Sequence, residues 1–138
     1  MDVAKKLVIL AREIGFKASL DYVDVENLIP SPLRTLESIH QFNSKEEDLN
    51  SHYISIKDSI KDDEVLRYVA ELNVNEKTLA VKLIAVNKSD SLAHIKNADN
   101  YFEVFTESYQ KQPIIIQGKG AGPIVTARGV YSDVLKLA

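Results

Sequence analysis

Two runs of β-forming residues decide the fold: Val65-Leu66-Arg67-Tyr68-Val69-Ala70-Glu71-Leu72 and Thr78-Leu79-Ala80-Val81-Lys82-Leu83-Ile84-Ala85-Val86. Both are rich in valine, isoleucine, leucine and tyrosine, side chains that pack well on a pleated surface. The segment Asn73-Val74-Asn75-Glu76-Lys77 separates the runs and contains residues typical of tight turns. This arrangement predicts a β-hairpin with two long antiparallel strands.

Further strands and helices flank the predicted hairpin. Three more segments are strand candidates and are flanked by turn-forming residues: 23–29, 101–106 and 113–117. Apolar residues at helical spacing predict helices over residues 3–14, 33–42, 45–61 and 124–137. Gly15 is placed to end the first helix, and Ser44 with Glu47 matches a capping box before the third. The pattern predicts an α+β fold, in which helices cover a mixed, largely antiparallel sheet of about four or five strands.

Composition bounds the class of protein. A chain of 138 residues with a net charge of −3 fits one domain and gives no electrostatic footprint for nucleic acid or an anionic membrane. The sequence contains no apolar run of about 18 residues, as a membrane span would need, and no secretory signal. The absence of cysteine excludes a disulfide framework and a thiolate zinc site. We expect a single soluble, cytoplasmic domain over residues 1–138.

The polar residues do not point to a metal centre or a hydrolase. The histidines at positions 40, 52 and 94 lack metal-ligand spacing, and the acidic runs 46–48 and 62–64 are typical of solvated helix ends. A serine in a nucleophile-elbow sequence is also lacking. We therefore predict no bound metal.

A carboxylate and an amine, Asp2 and Lys6, lie one turn apart on the first predicted helix. Asp2 is placed to cap that helix, and Lys6 is expected at the shoulder of an apolar stripe. The residues of this stripe are Val3, Leu7, Leu10 and Ile14. Two interpretations stay open: a capped helix with a lysine whose stem covers the core, or a functional pair held in a cleft.

Three glycines alternate in Gln117-Gly118-Lys119-Gly120-Ala121-Gly122-Pro123, between a predicted strand and a predicted helix. Glycine lets backbone N–H groups approach a ligand closely, and a following helix N-terminus favours negative charge. The segment matches neither a Walker loop nor the dinucleotide fingerprint. It is either a ligand-binding turn or a plain connection between strand and helix.

Two distant motifs of this chain occur together in one known family. The stretch Asp2-Val3-Ala4-Lys5-Lys6-Leu7 is similar to the end of a signature in which a Gly-x-Asp segment is followed after three residues by lysine. Later residues keep the family's order and spacing: Leu66-Arg67-Tyr68-Val69, Ser91-Leu92-Ala93, Asn97, Asn100, Phe102, Tyr109, Pro113, Gln117-Gly118-Lys119-Gly120-Ala121-Gly122, Val125-Thr126-Ala127, Gly129-Val130 and Asp133. The chain resembles the homoserine dehydrogenases, although it lacks the glycine of the signature because only Met1 precedes Asp2.

The resemblance implies an oxidoreductase that reduces aspartate 4-semialdehyde to homoserine with NADPH or NADH, in threonine and methionine biosynthesis. In that family a nucleotide-binding domain precedes this region and binds most of the NADP or NAD. The chain is therefore expected to be the catalytic and dimerisation region and to be inactive by itself. The resemblance also implies a homodimer through the sheet, around residues 65–86 and 101–117. The bifunctional aspartokinase–homoserine dehydrogenases look most similar.

The resemblance also assigns roles to individual residues. Lys6 matches the lysine that donates a proton to the carbonyl oxygen, and Asp2 matches the substrate-binding aspartate. Gly122 matches the glycine whose backbone approaches the cofactor, and Gly120 shapes the same turn. Thr126 is a weaker candidate.

Two other functions stay open. The chain could be a stand-alone oligomerisation or interaction module without catalysis, which predicts a stable dimer that binds neither cofactor nor homoserine. It could also be a small-anion binder that uses residues 118–122, which predicts saturable binding of phosphate or a nucleotide.

Overall fold

The computed structural model describes residues 1–97 and 99–137, so Ala98 and Ala138 of the predicted domain lie outside the described residues. The chain divides into two compact units, residues 1–89 and 90–138. The first contains α1 (Asp2–Glu13), a 3₁₀ turn (Leu20–Tyr22), β1 (Val23–Val25), α2 (Ser31–Arg34), α3 (Ile39–Asn43), α4 (Glu46–Ser59), β2 (Glu64–Asn73) and β3 (Thr78–Asn87). The second contains a 3₁₀ turn (Ser91–His94), β4 (Asp99–Val104), β5 (Ile114–Lys119) and α5 (Pro123–Lys136).

The predicted hairpin forms the larger part of the first unit's sheet. Strands β2 and β3 pair antiparallel from Glu64↔Asn87 to Asn73↔Thr78, and Lys77 takes the left-handed conformation that the turn needs, with φ of 56°. Strand β1 lies on the other side of β3 and runs parallel to it, with Val23 opposite Leu79. The sheet order is therefore β1-β3-β2.

Helix α1 supplies half of the core of this unit. Its buried face is formed by Ala4, Leu7, Val8 and Ala11, which pack with Ala18, Val23, Leu79 and Val81. The predicted stripe was wrong at two positions, because Leu10 and Ile14 are 43% and 52% exposed. The two alanines of α1 explain this difference, since their small side chains let the helix backbone approach the sheet closely.

The strand predicted over residues 23–29 is shorter than expected. Only Val23–Val25 forms β1, although the Glu26 N–H still donates to the Val81 carbonyl at 2.8 Å. The Glu26 carboxylate then accepts the Leu83 N–H at 2.8 Å, and thus replaces the next backbone partner of β3. Asn27 turns the chain away, because its side-chain oxygen accepts the Ile29 N–H at 3.0 Å.

The helix predicted over residues 33–42 is interrupted. Its two parts are α2 and α3, and Ser38 caps α3 by accepting the Gln41 N–H at 3.2 Å. The predicted capping box of Ser44 and Glu47 was wrong. Ser44 ends α3 instead, where its hydroxyl donates to the Gln41 carbonyl at 2.7 Å, and α4 begins after Lys45 without a side-chain cap.

Tyr68 links β2 to the segment after β1, because its hydroxyl donates to the Glu26 carbonyl at 2.7 Å. Burial raises the pKa of Tyr68, and the negative charges of Glu26 and Tyr53 raise it further. The folded chain therefore holds this proton more tightly than the unfolded chain. The resulting stability is fully present below the unfolded pKa of about 10 and is lost as pH rises through the folded pKa.

Tyr68→Phe is therefore expected to make the free energy of unfolding less sensitive to pH above about 10. At neutral pH the variant should lose about 0.5–1.5 kcal/mol with its hydrogen bond. Urea unfolding at a series of pH values would measure both effects. Tyr22→Phe is the control, since Tyr22 is exposed. The prediction would be contradicted if, above about pH 10, the free energy of unfolding fell as steeply with pH in Tyr68→Phe as in the unchanged chain.

The second unit is built on an antiparallel pair. Strands β4 and β5 pair from Asp99↔Lys119 to Val104↔Ile114, and the Tyr109 N–H donates to the Thr106 carbonyl at 3.1 Å in the loop between them. Helix α5 follows, as predicted. None of the side chains described in this unit is buried.

The predicted fold class is confirmed: the chain is α+β, with mixed and antiparallel strands. The described residues form five strands, which divide into a three-stranded sheet and a two-stranded sheet. In the described part of the chain, every helix is too short or too polar to cross a membrane.

Candidate functional site

Asp2 and Lys6 form an ion pair on α1, as their spacing predicts. The Lys6 Nζ lies 3.0 Å from the Asp2 Oδ2, and the side chains are 67% and 77% exposed, respectively. Lys6 points away from the face of α1 that carries Ala4, Leu7 and Ala11, so its stem does not cover the core. The shoulder position expected for Lys6 was wrong for the same reason as the stripe: the buried face of α1 is rotated toward the alanines.

Asp2 does not cap α1. It is the first residue of the helix, Met1 is the N-cap, and no side chain makes a cap hydrogen bond there. Its charge still lies in the first turn, which the helix dipole favours. An exposed ion pair at this spacing stabilises a helix by only about 0.3–0.5 kcal/mol. The ammonium has two further N–H donors and the carboxylate a second oxygen, so both groups can bind another molecule.

Gly122 has a backbone that only glycine adopts without strain. Its φ is 135° and its ψ is 151°, and it is the N-cap of α5, with Pro123 as the first helical residue. The Thr126 N–H donates to the Gly122 carbonyl at 3.0 Å. A Cβ placed on Gly122 would meet no atom within 4 Å, so the space beside this backbone is open.

Gly120 is constrained by a neighbour instead of by its backbone. A Cβ at Gly120 would lie 2.6 Å from Asn100 Oδ1 and closer still to the Cγ and Nδ2 of the same side chain. Asn100 stands opposite Gly118 in the β4–β5 ladder, and its amide leans over Gly120. The sequence pattern included Asn100 but assigned it no role, because only the register of the two strands brings it to the glycines.

The first turn of α5 is electrostatically suited to an anion. It contains no acidic residue, and no side chain caps it. Lys119, the last residue of β5, adds a positive charge next to Gly120. Thr126 lies exposed in this turn of the helix. Within the described residues, no group of three or more histidines and acids could hold a metal ion.

The predicted site residues thus lie in two places. Asp2 and Lys6 are together in the first unit, while Gly120, Gly122 and Thr126 are in the second. The structure brings Asp2 to Lys6 and Asn100 to Gly120.

Comparison with known proteins gives matches over nearly the whole chain. The bifunctional aspartokinase/homoserine dehydrogenase 1 of Arabidopsis thaliana is 39% identical over 138 residues, which are 99% of this chain and 15% of that protein. The homoserine dehydrogenase of Paracoccidioides brasiliensis is 40% identical over 139 residues, 99% of this chain and 37% of that protein. The chain therefore spans well under half the length of these relatives.

Solved structures agree with these matches. A crystal structure of a Candida auris protein of unknown function has a TM-score of 0.82 and 36% identity, over 99% of this chain and 38% of that one. The structure of a putative homoserine dehydrogenase from Archaeoglobus fulgidus has a TM-score of 0.58 and 27% identity, over 99% and 35%. The sequence model of the family described as homoserine dehydrogenase matches residues 1–135. This chain belongs to the homoserine dehydrogenase family.

Proposed function

We propose that residues 1–138 are the catalytic and dimerisation region of a larger cytoplasmic enzyme that reduces aspartate 4-semialdehyde to homoserine, in threonine and methionine biosynthesis. Membership of the homoserine dehydrogenase family supports the oxidoreductase class. The observation that carries the proposal is the Asp2–Lys6 ion pair. The Lys6 Nζ lies 3.0 Å from the Asp2 Oδ2, and both side chains are mostly exposed. Such a pair contributes little to stability, but it offers an ammonium and a carboxylate to a polar substrate.

Lys6 is the proposed proton donor. When bound, a nicotinamide cofactor would supply the hydride that adds to the aldehyde carbon. As the C–H bond forms, the carbonyl π electrons move onto the oxygen, and this oxygen takes a proton from Lys6 Nζ to become the hydroxyl of homoserine. An ammonium aimed at that oxygen stabilises the transition state more than the ground state, because the negative charge develops during the reaction.

Asp2 is the proposed substrate-binding residue. Its Oδ2 holds the Lys6 ammonium, and the other carboxylate oxygen can accept a hydrogen bond from the amino group of the substrate. One turn of helix separates the two residues, so a substrate held by Asp2 would have its carbonyl within reach of Lys6.

The turn at Gly120 and Gly122 is the proposed contact with NADP or NAD. The open space beside Gly122 and the absence of acidic residues in the first turn of α5 suit a negatively charged dinucleotide. Most of the cofactor would be held by a nucleotide-binding domain outside this chain, since the family members matched are much longer. Some of the relatives are bifunctional. We therefore include in the proposal an aspartokinase segment elsewhere in the parent protein.

A homodimer through the strands completes the proposal. Ile114 and Ile116 of β5 are exposed and share a face of the strand pair with Phe102 and Val104 of β4, which are also exposed. These apolar side chains would be removed from water in an interface with a second copy.

The experiment that tests the function compares this chain with the full-length protein that carries its sequence. Full-length protein should oxidise NADPH or NADH only when aspartate 4-semialdehyde is present, and should sediment as a dimer. The chain alone should bind no cofactor tightly and give no turnover. A full-length protein that dimerises but binds neither cofactor nor homoserine would instead establish the oligomerisation module. Saturable binding of inorganic phosphate by the chain alone would support the anion binder.

A further inference from the structure

The amide of Asn100 fills the space that a side chain at Gly120 would need. A methyl group there would overlap three atoms of Asn100, at distances shorter than non-bonded carbon atoms reach in proteins. The two other glycines of this segment differ, because a Cβ at Gly118 or Gly122 meets nothing within 4 Å. The φ of Gly120 is not positive, so its backbone does not require glycine either. Glycine at position 120 is therefore explained by Asn100.

The Asn100 amide has two N–H donors and a carbonyl acceptor. Within the described residues, this side chain makes no hydrogen bond. The residue is exposed, so its polar groups are open to solvent or to another molecule. Gly120, the neighbour that it leans over, lies two residues before Gly122, at the start of the proposed cofactor turn.

From this geometry we infer that Asn100 is a hydrogen-bonding contact of the nicotinamide cofactor, and that Gly120 lacks a side chain so that the Asn100 amide can lie over the turn. The inference rests on the proposed function, which places the cofactor at this turn. It changes the role of Gly120: the glycine acts by leaving room for a protein side chain, whereas Gly122 acts through its own backbone. In this inference, the Asn100 amide is a polar group beside the turn that hydrogen-bonds to the cofactor.

A double-mutant cycle on the full-length protein tests the inference. Asn100→Ala deletes the amide, and Gly120→Ala displaces it, since the end of the asparagine side chain can rotate away. Each variant should weaken cofactor binding by about three- to tenfold, the loss of one hydrogen bond. The double variant should be no weaker than either single variant, because the same contact is lost once. Fluorescence titration of NADPH and NADH measures the Kd directly, without turnover.

Gly118→Ala is the matched control, since it adds the same methyl group to the same segment without meeting an atom. Its Kd and thermal midpoint should equal those of the unchanged protein. Asn100→Asp keeps the shape of the side chain but replaces the N–H donors by a negative charge, and should weaken binding at least as much as Asn100→Ala.

Two results would overturn the inference. One is an unchanged Kd in Asn100→Ala, and the other is a Gly120→Ala effect that persists in full when Asn100 is already alanine. Gly122→Ala separates this failure from failure of the proposed function. If Gly122→Ala weakens binding while Asn100→Ala does not, only the role of Asn100 is wrong. If neither variant changes the Kd, the cofactor does not bind at this turn and the proposal itself fails there.

Discussion

Replacing Lys6 with alanine in the full-length protein is expected to lower kcat by about 100- to 10,000-fold, the usual contribution of a positioned proton donor. The aldehyde oxygen becomes negatively charged as hydride reaches the carbon, and alanine offers it neither a proton nor a positive charge. The Kd of the cofactor should change little, because Lys6 is proposed to act on the substrate oxygen, whereas the proposed cofactor contacts are Gly120, Gly122 and a nucleotide-binding domain outside this chain. Steady-state kinetics with aspartate 4-semialdehyde and a cofactor titration measure the two quantities.

Lys5→Ala is the matched control for this experiment. Lys5 is the adjacent lysine and is exposed, but it lies on another face of α1 and does not pair with Asp2. Its substitution removes the same charge and should leave kcat within about twofold, which is a difference of less than 0.5 kcal/mol in the activation free energy. Retained turnover in Lys6→Ala, or an equal loss in Lys5→Ala, would mean that Lys6 does not donate the proton.

Leu7→Ala should lower the free energy of unfolding of the chain by about 2–5 kcal/mol. Leu7 is only 3% exposed, and it packs in the cluster that joins α1 to Leu79 and Val81 of β3. The substitution removes apolar contact and leaves a cavity that a helix packed closely through alanines has little freedom to fill. Since small domains are stable by about 5–15 kcal/mol, this is a large part of the total.

Leu10→Ala deletes the same atoms from the same helix and is the control. Leu10 is 43% exposed, so the loss should be less than half of that found for Leu7→Ala. Urea unfolding followed by circular dichroism measures both. Equal losses would show that α1 packs through the stripe predicted from the sequence and not through the alanine face.

Local patterns predicted the parts of the fold that depend on neighbours along the chain. The hairpin of β2 and β3 followed from two β-rich runs around a polar turn, and α1 from its apolar spacing. The rotation of α1 could not be predicted, because Ala4 and Ala11 contribute little to a hydropathy pattern yet decide how closely the helix approaches the sheet. Likewise, Ser44 fits a capping box, but its hydroxyl and N–H are already used to end α3.

The same limit applies to the candidate site. The Asp2–Lys6 ion pair follows from a spacing of four residues on a helix, so the sequence was sufficient for it. The different surroundings of Gly120 and Gly122 could not be predicted, since the sequence alone does not show which residues lie beside a glycine. It depends on the pairing of β4 with β5, which sets Asn100 beside one glycine and leaves open space beside the other.

The Glu26 carboxylate has a consequence for how copies of this chain can assemble. By accepting the Leu83 N–H it occupies the first free position on the border of β3 after β1 has ended, so a strand from another molecule would have to displace a charged group to pair at that position. Strand β2 lies on the opposite border and is paired on one side only. Two copies meeting at β2 about a twofold axis would join their three-stranded sheets into one continuous six-stranded sheet. If the proposed homodimer forms by strand pairing, we therefore expect β2, and not the border of β3 that Glu26 occupies, to be the strand that pairs.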